Sequence, residues 1–422
     1  MGLNICFFFP YKEVSGVPLL FYRMANKLAS DDSSNRISVI DYCDGVMAKN
    51  ILDLPNLFLI PFEDGYALKP PVDSILVMQS ILPYAMRPEL IIESSTRILF
   101  WNLHPNNLRP QILPLLKLER FFHRKYWMYS YILKCLYSRK ISNINNFVDT
   151  TIVKNGILFM DKPNLDSTLR HLLRKELEVV YLPVPVPAGM ELKVHSEHLD
   201  KHINFTWIGR LCDFKFYILV YTVKKLSALA LEKNIDIKFK IVGDGPFRSK
   251  IEVLDVNNDK FTLELLGSVN PKCLDHFLLA NTDVLVAMGT SALEGAKLGI
   301  PTILLDMSYF ELTGDYKFRW LYETKAFDLG HEITHLDFHK GNRTLELMVD
   351  DIVKSYKVLS DKTLRYFEAN HHIDSVIFKF KNIVMKSNLI FSDIDNNVRK
   401  KGFIRSCYEA LKYGKIKKLS NT

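Results

Sequence analysis

The sequence predicts an α/β protein made of two parallel sheets, and three observations carry that expectation. Short apolar runs rich in β-branched residues recur along the chain, separated by stretches of helical periodicity. In the second half these runs close on glycine, as strands do when they feed a turn into a helix. The chain has 422 residues, too many for one core and suited to two domains of about 200 residues each.

In the first half the expected strands are Ile5–Phe9, Ile37–Ile40, Leu57–Ile60, Ile75–Met78 and Ile98–Trp101. A helical stretch over 17–29 follows the Ser15-Gly16 turn. Residues 180–189, VYLPVPVPAG, then interrupt the alternation. Three alternating prolines forbid helix and favour a stiff, extended connection. The expected division is therefore 1–187, 188–385 and a basic tail 386–422, with 345–385 helical and the tail a final helix pair.

The second half opens with a run from 203 that ends Trp207-Ile208-Gly209-Arg210-Leu211, with Lys215 close behind. A second run, Ile237–Val242, ends in Gly243-Asp244-Gly245-Pro246, and a third, Val284–Ala287, leads into MGTSALEGAKLGIP at 288–301. Parallel sheets bind ligands outside the carboxyl ends of their strands, where all three glycine turns are expected to lie.

In this order these motifs resemble the donor half of GT-B fold glycosyltransferases, most closely family four (the group 1 glycosyl transferases). The resemblance covers about half the chain well. It is weaker at the N-terminus, where Phe7-Phe8-Phe9-Pro10 runs into Ser15-Gly16-Val17-Pro18. It implies two Rossmann-like domains facing a cleft, the first for the acceptor and the second for a nucleotide-sugar donor. It also implies retention at the anomeric carbon and no metal requirement. Gly16 and Val17 then match the family's N-terminal glycine loop, which faces donor phosphate and acceptor. One departure stands out: the family's glutamate eight residues before Glu294 is Val286 here.

Each motif has a plainer reading. Gly289-Thr290-Ser291 can present backbone N–H groups to a pyrophosphate at a helix start, or can simply cap that helix. Glu294 can accept two ribose hydroxyls, as the family's glutamate does, or can complete a capping box, since Ser291 and Glu294 have S-x-x-E spacing. Arg210 and Lys215 can neutralise a departing diphosphate, or are surface cations. Gly243 and Gly245 shape a tight turn, with Pro246 at a helix start, that walls the base. His104, just past Phe100-Trp101-Asn102, is a candidate catalytic or acceptor-binding residue set against an ordinary packing histidine.

Composition is globular, with 48% hydrophobic and 24% charged residues and a net charge of +8. Six scattered cysteines argue for a reducing compartment and against a disulfide frame. Met1-Gly2-Leu3-Asn4-Ile5-Cys6 reads as a first strand, so no signal peptide is expected, and no apolar run reaches the ~18 residues of a spanning helix. The positive excess gathers in 117–140 and in the tail. In the former, Arg120, Arg124, Lys125, Lys134 and Arg139 interleave with Phe121, Phe122, Tyr126, Trp127, Tyr129 and Tyr131. Such a face suits an anionic membrane surface, or is the solvated side of a core helix. Nucleic acid is not expected as a partner, because no nucleic-acid fold motif accompanies the charge.

Two motifs are set aside. His331-Glu332-Ile333-Thr334-His335 spells a zinc-hydrolase signature with His339 nearby, but Gly330 and two β-branched residues oppose the helix it requires. Asp393-Ile394-Asp395 lies far from any alternating sheet and reads as a turn. The expected protein is a cytoplasmic glycosyltransferase, peripheral on the membrane. It would move sugar from a nucleoside-diphosphate donor to a glycan or lipid-linked acceptor, as in bacterial surface polysaccharide assembly. The alternatives are a nucleotide-sugar epimerase of the same twin-sheet fold, a zinc hydrolase using His331, Glu332 and His335, and a non-catalytic nucleotide-sugar-binding protein.

Overall fold

The computed structural model describes residues 2–110, 126–189, 202–312, 314–333 and 343–400. Two compact units form, one from Met1–Pro185 together with the chain from Val376 onward, the other from Val186–Ser375. The dividing point falls inside the proline run, two residues before the expected boundary, and the second division comes ten residues before the expected one. The proline run is not an exposed hinge: Leu182, Val184 and Val186 are all buried.

In the first unit, seven strands among the described residues line up as β3-β2-β1-β4-β5-β6-β7. They are β1 (Asn4–Phe8), β2 (Arg36–Asp41), β3 (Leu57–Pro61), β4 (Ile75–Gln79), β5 (Arg97–Asn102), β6 (Ile157–Phe159) and β7 (Val180–Tyr181). All pairings are parallel. The first five match the expected runs to within a residue or two. β6 and β7 were not expected, being three and two residues long and too short to show a period.

The helix Gly16–Asp31 buries Leu20, Phe21, Met24, Ala25 and Leu28, one apolar stripe at helical spacing. Phe21 stacks on Trp101 of β5, which also stacks on Phe380 in the late helix Ile373–Lys386. Arg97 of β5 donates to the carbonyls of Val384 and Ser387 at 2.9 and 2.5 Å, so a strand cation caps the end of that helix. Residues 376–400 thus complete the first unit. Their described part holds a single turn at Phe391–Asp393 and a short helix Asn396–Arg399. Asp393 accepts the Ile390 N–H and Asp395 caps Asn397, so the D-I-D motif is a turn device. Residues 401–422, the rest of the expected helix pair, lie outside the described residues.

The second unit holds β8 (His202–Ile208), β9 (Asp236–Val242), β10 (Phe261–Gly267), β11 (Val284–Ala287), β12 (Thr302–Leu304) and the antiparallel β13 (Arg319–Trp320). Their order is β10-β9-β8-β11-β12-β13. β8, β9 and β11 are the three expected runs. The others were missed because Phe261–Gly267 carries Glu264 and little burial, and β12 and β13 are very short. Helices Asp213–Lys233 and Leu345–Asn370 pack on this sheet, the latter through Met348, Val349, Ile352 and Tyr356.

Removing Phe380 opens a hole between Phe7 and Trp101. Phe380→Ala is expected to cost about 3–5 kcal/mol. Amide exchange should accelerate in β1 and β5 while β8 and β11 keep their protection; equal acceleration in both sheets would contradict the assignment of this helix to the first unit.

Candidate functional site

The second sheet places the glycine turns together. The chain steps from β8 outward to β9 and β10, then returns to the other side of β8 to lay down β11 and β12. Such a reversal leaves a crevice outside the carboxyl ends of the two strands that flank it. Here those strands are β8 and β11. Trp207 pairs with Val286 and Ile208 with Val242, so β9, β8 and β11 end at one level. The turns beginning at Gly209, Gly243 and Gly289 emerge from that edge side by side.

The Gly209 and Gly243 turns are locked by backbone contact. Gly209 donates to the Val242 carbonyl at 3.0 Å and Leu211 to that of Asp244 at 3.0 Å. A Cβ on Gly243 would overlap the Gly209 carbonyl, and its φ of 138° is itself unfavourable for other residues. A Cβ on Gly245 would likewise overlap the Leu211 carbonyl. Pro246 does not start a helix: the short helix is Arg248–Glu252, with Phe247 before it.

The two candidate cations lie on the first turn. Arg210 is exposed. Lys215, in the first turn of helix Asp213–Lys233, runs back between the Trp207 and Phe214 rings, its Nζ 5.8 and 5.9 Å from their centres. A Cβ on Gly209 would sit 3.1 Å from that Nζ, so the glycine leaves room for the ammonium. Neither cation has a carboxylate partner among the described residues. Burial pushes the Lys215 ammonium below the usual lysine value. A half-buried cation without a counter-ion at the end of a central strand is costly for the free protein and well suited to an anion.

Beside it, Gly289 adopts φ 64° and the chain turns into helix Ser291–Ala296. Gly289 donates to the Leu329 carbonyl at 2.6 Å. The N–H groups of Thr290 and Ser291 have no acceptor among the described residues. Thr290, not Ser291, precedes the helix, and no side chain caps it. The capping-box reading of Ser291 and Glu294 is therefore not what forms. Glu294 instead pairs with Lys297 at 2.6 Å, and Lys297 also holds Asp275 at 2.8 Å. This Asp275–Lys297–Glu294 chain was missed, although Glu294 and Lys297 stand at pairing distance along a helix. One Glu294 oxygen is taken, and Oε1 has no partner among the described residues. Val286 is wholly buried in β11 against β8, so it supplies nothing in place of the family's glutamate.

The remaining candidates belong to the first unit. Its sheet reverses between β1 and β4, and Gly16 and Val17 follow β1 at the start of their helix, at that switch point. Gly16 has open space where a Cβ would be. His104 is exposed in a turn past β5, where Asn107 Oδ1 accepts the N–H groups of Leu103 and His104. Its Nδ1 accepts the Asn106 N–H at 3.1 Å, and partial burial of the ring lowers its pKa, so the neutral form with Nε2 outward is favoured. Asn106 Oδ1 also reaches His171, 3.3 Å away. Burial, with the charges of Arg109 and Arg170, holds that second histidine neutral with a pKa of about 3. Sequence gave no signal for His171, which faces inward from helix Lys162–Leu172.

The zinc signature is corrected by backbone geometry. Met307 and Glu332 form a parallel bridge, so His331–Ile333 is extended rather than helical. His331 Nδ1 lies 2.9 Å from Asp328 and 3.2 Å from Asp306. Among the described residues no cluster suits a metal ion; His335 and His339 lie outside them.

No protein-family model matches the chain, and no curated protein matches it significantly. Solved structures do match, glycosyltransferases among them. One from Rickettsia africae is 11% identical, covering 91% of this chain and 99% of its own, with a TM-score of 0.49. WaaG, a glycosyltransferase involved in lipopolysaccharide biosynthesis, is 11% identical over 90% and 99%, at 0.45. An α-glucosyltransferase in complex with UDP-glucose and DNA is 11% identical over 91% and 100%, at 0.44. Each TM-score lies below 0.5, so these likenesses add no weight to any residue of the site.

Gly243→Ala should disrupt the locked turns, with a loss of at least about 1–3 kcal/mol from the backbone conformation alone. Urea unfolding measures it; a midpoint within error of the parent's would contradict the close approach of the two turns.

Proposed function

We propose that the chain is a glycosyltransferase that takes its sugar from a nucleoside-diphosphate donor held by the second unit. The observation that carries this reading is the crevice edge between β8 and β11. There, Arg210 and a half-buried Lys215 emerge beside the Thr290 and Ser291 amides, and among the described residues Lys215 has no carboxylate partner and the amides no acceptor. Cations and amides together fit a diphosphate, and they suit a reaction in which that diphosphate departs with one more negative charge than it bore in the donor. Glu294 Oε1, one turn into the adjoining helix, is the acceptor for ribose hydroxyls. Gly243 and Gly245 shape the wall for the base. His104 and the Gly16-Val17 turn serve the acceptor, which we take to be a glycan or lipid-linked sugar of a bacterial surface polysaccharide. Retention at the anomeric carbon follows the family resemblance. So does independence from metal, since the two cations would stabilise the leaving group; transfer should then persist in excess EDTA, and its loss would refute metal-free assistance.

Lys215→Met gives a paired test. Removing a half-buried, unpaired charge should leave the free protein as stable or more so, while affinity for nucleoside diphosphates (ADP, GDP and UDP as probes) falls tenfold or more. The pH dependence has a definite sign. The folded pKa of Lys215 is depressed, so the free protein gains stability as pH rises through it toward the unfolded value. A bound diphosphate needs the protonated form, so affinity should decline over the same range. Thermal shifts with and without nucleotide report both, since a ligand that binds only the native state raises its stability.

Glu294→Gln addresses the ribose. The parent should bind UDP more tightly than 2′,3′-dideoxy-UDP, by about 1.5–3 kcal/mol for hydrogen bonds to a charged acceptor. The variant should lose that preference. Equal discrimination by both proteins would remove Glu294 from the site.

A membrane-facing role is proposed for the helix Tyr126–Val153. Trp127, Tyr131 and Leu136 are 71%, 66% and 71% exposed, and Lys134 and Arg139 are exposed beside them. Tyr129, by contrast, turns inward onto Leu133 and Ile141. The cations at 117–125 lie outside the described residues. Among the described residues no helix is long and apolar enough to cross a membrane. Changing Trp127 and Tyr131 to Ser, with Lys134 and Arg139 to Gln, should weaken sedimentation with phosphatidylglycerol vesicles by about 1 kcal/mol per charge near the surface. Unchanged sedimentation, or none by the parent, refutes surface binding.

A further inference from the structure

The loop 325–331 of the second unit holds a conformation that its own residues disfavour. Ala326 and Phe327 are consecutive non-glycine residues with φ of 48° and 60°. Side chains accept that region only where the surroundings impose it.

The surroundings are a cluster of four charged groups, Asp306 and Arg319 buried, Asp328 and His331 half-buried. Asp306, just past β12, is 2% exposed and accepts both Arg319 nitrogens at 2.6 Å and the Tyr316 hydroxyl at 2.6 Å. Asp328 accepts Arg319 at 3.2 Å and the Gly330 N–H at 2.7 Å. His331 donates its backbone N–H to Asp306 at 3.0 Å and sets its ring against both carboxylates. Beyond the loop, Met307 and His331 join through a backbone bond of 2.7 Å. Leu329, carried between these anchors, gives its carbonyl to Gly289 N–H. Gly289 opens the turn whose next two amides have no acceptor among the described residues.

We infer that the Asp306–Arg319–Asp328–His331 cluster is a positioning device for the nucleotide site, fixing Leu329 so that Gly289 aims the Thr290 and Ser291 amides. This rests on the donor reading given above. Four charges are not needed to fill a core, because well-packed apolar residues do so at least as stably. What ion pairs with fixed geometry add is direction.

The balance of the cluster also matters to an anion nearby. Two carboxylates offset Arg319 and a protonated His331; loss of the histidine proton leaves one net negative charge. Burial opposes the charge on His331, but the Asp328 hydrogen bond and the two carboxylates outweigh it, and its pKa is raised above the usual value. Facing it are Asp306 past β12, whose carboxylate also accepts the Tyr316 hydroxyl, Arg319 of β13, and Asp328 on its own loop. Phe327 meets the His371 ring, and Tyr366 joins Thr324 on the far side of the loop.

The test uses the full chain as parent, Asp328→Asn, His331→Gln, and Ile352→Val as a general core lesion in the same unit. Hydrogen exchange of the Gly289 amide should become at least tenfold faster in the first two variants, with the Phe239 and Leu285 amides unchanged. UDP affinity, with ADP and GDP in parallel, should fall fivefold or more. In the parent it should weaken from pH 6 to 8.5, and His331→Gln should flatten that profile relative to the parent. Unchanged Gly289 protection overturns the inference. So does acceleration of all three amides together, as Ile352→Val would give, or selective release of Gly289 with affinity intact. Should no nucleoside diphosphate bind the parent, the donor reading fails, and the Gly289 exchange still decides whether the tether exists.

Discussion

The level ends of β9, β8 and β11 are the constraint on which the second unit depends. Parallel strands in fixed register cannot slip by a residue without turning their buried faces outward. Trp207 and Val286 are both wholly buried and directly paired, so the end of one strand dictates the end of the other. The glycine turns therefore start from one line, and small backbone contacts suffice to lock them. Gly209, Gly243 and Gly245 contribute by what they lack, since a single added carbon at the latter two would collide with a neighbouring carbonyl.

The same edge holds features that disfavour the empty protein. Among the described residues Lys215 lacks a counter-charge and two amides lack acceptors, and two residues of the supporting loop have left-handed backbones. Natural chains keep such local conflicts mainly where a ligand or a reaction resolves them. The first unit shows a milder version. Its two described histidines are arranged neutral, one outward in a turn and one buried, with Asn106 between them.

Much of this was legible in the sequence because its signals are local. Eight strands show as short β-branched runs, and in β8, β9 and β11 a following glycine marks the end as well. β6, β7, β12 and β13 do not, because two or three residues show no period and are held by neighbours distant in sequence, and β10 does not because Glu264 and its half-exposed positions blur its pattern. The site divides similarly. Gly209 to Lys215 and Gly289 to Glu294 are contiguous motifs. The partners that set them are not: Asp275 reaches Lys297 across 22 positions, and Asp306 finds Arg319 and His331 only after the chain folds back. The S-x-x-E spacing misled for a physical reason. The helix begins one residue earlier than a capping box at Ser291 would require, which moves Ser291 inside the first turn.

The first unit is assembled from both ends of the described chain, with Arg97 holding carbonyls 287 and 290 residues away. A ribosome delivers these parts in order. The second unit has all of its residues available as soon as Ser375 has emerged, while the sheet made first still lacks the helix that covers Phe7 and Trp101. Of the two units, the one begun first is thus the later to close its core, and until then it presents an apolar face that must be kept from other chains.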